Sequence, residues 1–100
     1  MNHEPTLLAV KRLVAEQACR DLVLRAATLT DAQDHEGFAA LVAGDGVLVR
    51  PGAQPLQGHD AIIESYRARP AERITRHLIS NTQVMLESDT TAYASSCVLL

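Results

Sequence analysis

Residues 73–87, Arg-Ile-Thr-Arg-His-Leu-Ile-Ser-Asn-Thr-Gln-Val-Met-Leu-Glu, mix strand-favouring and apolar residues with polar groups at intervals and contain no Gly or Pro. That pattern predicts one long β-strand. Strict alternation puts His77, Ile79, Asn81, Gln83 and Met85 on one face and Arg76, Leu78, Ser80, Thr82, Val84 and Leu86 on the other. Both faces are mixed. Such a strand is expected to be covered on both sides, and the polar groups beside His77 then require a wet cavity or buried partners.

The remaining chain reads as helices and short strands around this one. Residues 1–11 form a polar lead-in. Residues 12–30 are mostly helix formers, with Leu13, Cys19, Leu22, Val23, Ala26, Ala27 and Leu29 at spacings of three and four, which predicts a long amphipathic helix. Arg12, Glu16, Arg20 and Arg25 are available for its wetter side. Asp31 falls at the C-terminal end, the unfavourable pole for a carboxylate. Asp34 is placed to cap a second helix over 35–42, with Glu36 in its first turn and Phe38, Leu41 and Val42 on its apolar side. Gly44-Asp45-Gly46 ends it. A short strand over 47–50 stops at Pro51-Gly52 and returns around 55–57. A third helix follows over 59–67, then the long strand, a polar turn at Ser88-Asp89-Thr90 and a second strand over 91–100, so that 74–100 make an antiparallel hairpin. The order predicts an α+β fold, with helices on one face of a curved antiparallel sheet that wraps the long N-terminal helix and encloses a pocket.

One hundred residues support a single domain with one core. The 47% hydrophobic and 21% charged content is that of an ordinary globular chain, which sets aside disorder, collagen and coiled coil. With 3% aromatic residues and a formal charge of −3, neither base stacking nor phosphate-backbone attraction is available, so nucleic acid is not expected as a partner. The N-terminus lacks a secretory pattern and no stretch is long enough to span a bilayer, which predicts a cytoplasmic protein without membrane contact. Cys19 and Cys97 are expected to be reduced, small buried hydrophobes. His35 and His59 stand at helix starts and are expected to be solvated. No paired Cys or His at ligand spacing, no HExxH, no GxGxxG and no GxSxG occurs, so a zinc site, a nucleotide cradle and a serine elbow find no support. No metal or organic cofactor is expected.

Several of these segments also carry a resemblance. The Asp31-x-x-Asp34 step after the first helix, Phe38-Ala-Ala-Leu-Val-Ala-Gly-Asp45-Gly, Gly58-His-Asp-Ala-Ile-Ile and Arg76-His77-Leu-Ile-Ser-Asn81 resemble, in this order and spacing, the SnoaL-like branch of the nuclear transport factor 2-like superfamily. The resemblance covers residues 8–100. It implies a cone-shaped, cystatin-like fold and a single domain over 1–100 that lacks the C-terminal strand or strands of its relatives. Within the superfamily the chain is similar to scytalone dehydratase and hexachlorocyclohexane dehydrochlorinase, which have an Asp at the end of the first long helix and a His on the strand after the third; Asp31 and His77 match these. This implies a dyad in which His77 takes a proton from substrate carbon and Asp31 holds the imidazole. The tyrosines that assist the dehydratase have no counterpart, since neither Tyr66 nor Tyr93 lies in the matching region.

Elementary chemistry agrees with such a dyad. An unperturbed imidazole titrates near about 6.5, so a proton-accepting form exists at neutral pH. A carboxylate on its other nitrogen fixes the tautomer and favours the imidazolium that forms. Asn81, on the face of His77, is placed to hydrogen-bond a substrate oxygen, and Arg76 points the other way. Leu22, Val23, Ala26, Phe38, Val49, Ile63 and Met85 are expected to supply apolar walls or adjoining core. Three functions stay open: a cofactor-independent lyase or isomerase acting on an apolar cyclic or polyketide-like molecule, a module that binds such a ligand without chemistry, and a structural subunit resembling the beta subunit of ring-hydroxylating dioxygenases. The apolar end Cys97-Val98-Leu99-Leu100 predicts either a fragment of a longer protein or a strand edge covered by another chain, in keeping with a homodimer or higher homo-oligomer.

Overall fold

A computed structural model describes residues 3–100. Its elements are α1 (Glu4–Asp31), α2 (His35–Ala40), β1 (Val47–Leu48), β2 (Leu56–Gln57), α3 (His59–Arg67), β3 (Leu78–Leu86) and β4 (Ala92–Leu99), the order expected of an α+β chain. The strands form two separate two-stranded antiparallel sheets, β1–β2 and β3–β4. The chain divides into two compact units, Ala26–Arg76 and a second made of the residues up to Arg25 with His77–Leu100; α1 runs through both.

Helix α1 starts well before residue 12. Pro5 is tolerated because the first turn needs no intrahelical N–H, Glu4 faces the favourable pole, and the Leu7 N–H bonds the His3 carbonyl at 3.0 Å. The longer helix changes its character. Successive positions turn by about 100°, so Leu7, Leu8, Val10, Leu13 and Val14 spread around the axis instead of extending one stripe. All five are exposed, and no described residue of α1 is buried. The extended N-terminal part thus adds no single apolar stripe, while within 12–30 the half-buried Cys19, Val23, Ala26, Ala27 and Thr30 recur at spacings of three and four, as expected of an amphipathic helix.

The unit Ala26–Arg76 holds the packed core. Asp34 caps α2 as expected, its Oδ1 accepting from the Gly37 N–H at 2.9 Å. A Cβ on Gly37 would lie 2.5 Å from that carboxylate, so the cap and the glycine require each other. Strands β1 and β2 pair Val47 with Gln57 and Leu48 with Leu56. Helix α3 begins after Gly58, whose φ of 86° is closed to most L residues, and its boundaries are those predicted. Ile62 and Tyr66 from α3 meet Ala39 from α2, with Phe38, Val42, Leu48, Leu56 and Ile63 packed around them. Ile62 is fully buried, which stabilises by roughly 1.5–3 kcal/mol relative to leaving it exposed. His59 is half-buried, not solvated: its Nε2 lies 2.6 Å from the Val42 carbonyl and ties the start of α3 to the end of α2.

In the other unit, β3 begins at Leu78 rather than near residue 73, and its register with β4 slips between Ser80 and Gln83. Asn81, at φ 54°, takes the left-handed conformation within that bulge. Two residues on β3 then stand against one on β4, and alternation shifts by one. Ile79, Thr82, Val84 and Leu86 come to share a face with Val98, Ser96, Ala94 and Ala92; Thr82 and Ser96 hydrogen-bond across it at 2.8 Å. Gln83 and Met85 therefore leave the Ile79 face to which strict alternation assigns them. Ser88 closes the hairpin turn by accepting from the N–H groups of Thr90 and Thr91. Cys97 is exposed and Cys19 half-buried, both free thiols, so neither is the buried hydrophobe expected.

Candidate functional site

Helix α1 ends in a Schellman arrangement. The Asp34 N–H bonds the Leu29 carbonyl and the Gln33 N–H bonds the Thr30 carbonyl, each at 3.0 Å, with Gln33 at φ 59° in the position that usually goes to glycine. Gln33 stays there with its side chain committed: Nε2 donates to the carbonyls of Ala71 and Arg73 at 2.9 and 3.0 Å. Those two bonds lay residues 71–75 along the end of α1. Thr75 is thereby brought to Asp31, donating from Oγ1 to its Oδ1 at 2.9 Å. Asp31 is half-buried, and at the negative pole of the helix it is held by a hydroxyl where backbone N–H groups are absent.

Beside this junction lies a small open pocket of about 30 Å³. Thr30, Gln33 and Thr75 border it, together with His35, Tyr66, Arg69 and Arg73. Tyr66 is its apolar wall. His35 stacks on that ring at 5.5 Å and 13°, Phe38 meets it edge-on at 5.2 Å, and the guanidinium carbons of Arg50 and Arg69 lie 4.5 and 4.9 Å from its centroid. His35 is thus half-buried on Tyr66, contrary to the solvated state expected from its place at a helix start. Arg67 has Glu36 at 3.1 Å and Glu64 at 3.5 Å, all well exposed, so these pairs contribute little.

The sequence-predicted site residues fall in different places. Asp31, Ala26, Phe38, Val49 and Ile63 belong to the unit Ala26–Arg76, while Leu22, Val23, His77, Asn81 and Met85 belong to the other. Phe38 and Ile63 adjoin the core. Val23, Ala26 and His77 are half-buried, and His77 directly precedes β3. Leu22 is exposed, as are Val49 at 64% and Met85 at 69%, so within their own units the last two do not act as buried wall. Asn81 is exposed at the bulge, where regular alternation no longer ties it to the His77 side. Arg76 is exposed and donates to the Thr75 carbonyl at 2.7 Å. Gln33, Thr75 and the Tyr66 cluster were not legible as site residues. The signal available for Gln33 was its place two residues past a helix end.

Among the described residues no group of three or more His, Cys, Asp or Glu side chains is placed to hold a metal ion, and no helix is long and apolar enough to cross a membrane.

Comparisons with known proteins agree with this architecture. ActVI-ORFA from Streptomyces coelicolor superposes with a TM-score of 0.69 at 20% identity, over 80% of this chain and 63% of that one. A protein from Catenulispora acidiphila gives 0.74 at 24%, over 91% and 66%. An NTF2-like protein with a cystatin-like fold from Novosphingobium aromaticivorans gives 0.71 at 29%, over 98% and 68%. The chain thus spans a little under two thirds of the length of the first two of these relatives. No curated protein matches. The sequence model of the SnoaL-like domain matches residues 11–100, nine tenths of the chain, and the protein belongs to that family.

Proposed function

We propose that this protein is a cofactor-independent lyase or isomerase of the scytalone dehydratase and dehydrochlorinase kind, with His77 as general base and Asp31 as its orienting carboxylate. The observation that carries this is the Thr75–Asp31 hydrogen bond of 2.9 Å. A carboxylate kept at the unfavourable end of α1 is aimed by a hydroxyl from the segment that, two residues on, reaches His77. In the proposed step a C–H proton of the ligand passes to an imidazole nitrogen of His77. Its electron pair forms a new C=C bond as a β-leaving group departs with its own pair, or the proton returns at another carbon. The imidazolium is favoured by the Asp31 charge, and such a base contributes on the order of a hundred- to ten-thousandfold. The ligand is a mainly apolar small molecule with one or two oxygens.

The test is a screen of cyclic β-hydroxy and β-halo carbonyl compounds for elimination, followed by absorbance. His77→Ala should lower turnover at least a hundredfold with an unchanged circular dichroism spectrum, and Asp31→Asn should lower it less. A His77→Ala protein at full turnover ends the proposal. Ligand binding without turnover would identify the binding module instead. A third role, as an assembly subunit, is favoured by the exposure of Leu7, Leu8, Leu13, Leu78, Tyr93 and Leu99. Light scattering decides it, because a subunit of that kind self-associates or co-purifies in fixed ratio, and a stable monomer does not.

A further inference from the structure

The cluster around Tyr66 has more cationic donors than the chain itself satisfies. Tyr66 is 8% exposed, and two guanidinium groups and an imidazole approach its ring. Among the described residues, none of Arg50, Arg69 and Arg73 forms a salt bridge, whereas Arg67 pairs with Glu36 and Glu64. Arg50 donates to Ser65 Oγ at 3.2 Å through Nη1, while its Nη2 is buried with no hydrogen-bond partner. Stacking on a tyrosine face leaves the N–H edges of a guanidinium open to acceptors.

The threonine hydroxyl and Gln33 amide hydrogens at the pocket below the cluster are already committed. Thr30 Oγ1 donates to the Ala26 carbonyl, Gln33 Nε2 to the carbonyls of Ala71 and Arg73, and Thr75 Oγ1 to Asp31. The guanidinium donors of Arg69 and Arg73 remain, at the rim of a space of about 30 Å³. That space admits one small planar head group and excludes the body of a ligand, and a guanidinium fork matches the two oxygens of a carboxylate. We infer that this pocket is a subsite for the carboxylate of an organic acid, held by Arg69 and Arg73 against Tyr66 while the rest of the molecule extends outward. Anchoring needs no turnover, so it stands or falls separately from the Asp31–His77 base.

The probe is benzoate, with neutral benzamide and inorganic phosphate as comparisons, titrated into the ¹⁵N-labelled full chain at constant chloride while the Arg Nε–Hε resonances are followed. Benzoate should shift Arg69 and Arg73 saturably and bind at least tenfold more tightly than either benzamide or phosphate. Arg69→Gln should weaken it tenfold or more, and Arg76→Gln, which removes an exposed guanidinium on the same segment, should leave it unchanged. His77→Ala should also leave it unchanged, which separates failure of the base from failure of the subsite. Equal binding of benzoate and benzamide, equal loss in Arg69→Gln and Arg76→Gln, or tighter binding of phosphate overturns the assignment. Should Arg69→Gln lose its amide dispersion, Arg73→Gln and Arg69→Lys decide in its place, and undiminished affinity in both refutes the subsite.

Discussion

Replacing Gln33 separates the conformational cost of the helix end from the bonds that organise the site. Gln33→Ala removes two hydrogen bonds of 2.9 and 3.0 Å and keeps an L residue at a φ of 59°. The bonds are solvent-exposed, so each contributes near the lower end of the usual range and their loss costs about 1–2 kcal/mol together. Gln33→Gly loses the same bonds but escapes the left-handed penalty of about 1–2 kcal/mol. Glycine's extra freedom in the unfolded chain takes back about 0.5–1 kcal/mol, leaving Gly more stable than Ala by roughly 0.5–1 kcal/mol. That reverses the usual helix ranking. In urea unfolding followed at 222 nm, with a slope of about 1 kcal/mol/M, the Gly midpoint should lie about 0.5–1 M above the Ala midpoint and below wild type. Because the same two bonds lay residues 71–75 on α1, both variants should exchange the amide hydrogens of 71–75 faster. An alanine variant as stable as the glycine variant would refute the Schellman argument, and unchanged exchange would remove Gln33 from the support of Asp31.

Two further substitutions test the packing of the same unit. Ile62→Ala, at a fully buried position in a core with few buried residues, should cost about 2–5 kcal/mol in denaturant unfolding, and a loss under about 1 kcal/mol would mean the α2–α3 core is not the stabilising element. Gly58→Ala meets no atom within 4 Å of the added Cβ, so its cost should be conformational alone, on the order of 1–3 kcal/mol from a φ of 86°; a neutral result in the same assay would place Gly58 elsewhere in φ.

Local chemistry along the chain was enough for much of the fold. Asp34 and Gly37 specify the start of α2 because the cap is made within four residues, and Gly58 with Pro70 brackets α3, whose predicted and observed limits coincide. The β3–β4 hairpin was legible from two strand-like runs about a polar turn, since pairing across a short connection needs no distant information. Asp31 stood out as a carboxylate at the wrong helix pole. Tertiary structure decided the rest. Residues 73–76 have strand composition but are drawn to the end of α1 by Gln33 and Thr75, and the ladder begins at the Leu78–Leu99 pair. The bulge at Asn81 moves Gln83 and Met85 to the opposite face, because one extra residue inverts every later position of a period-two pattern. Arg69 lies three residues past Tyr66, but His35 and Arg50 reach that ring from distant parts of the chain, and periodicity carries no signal for those contacts.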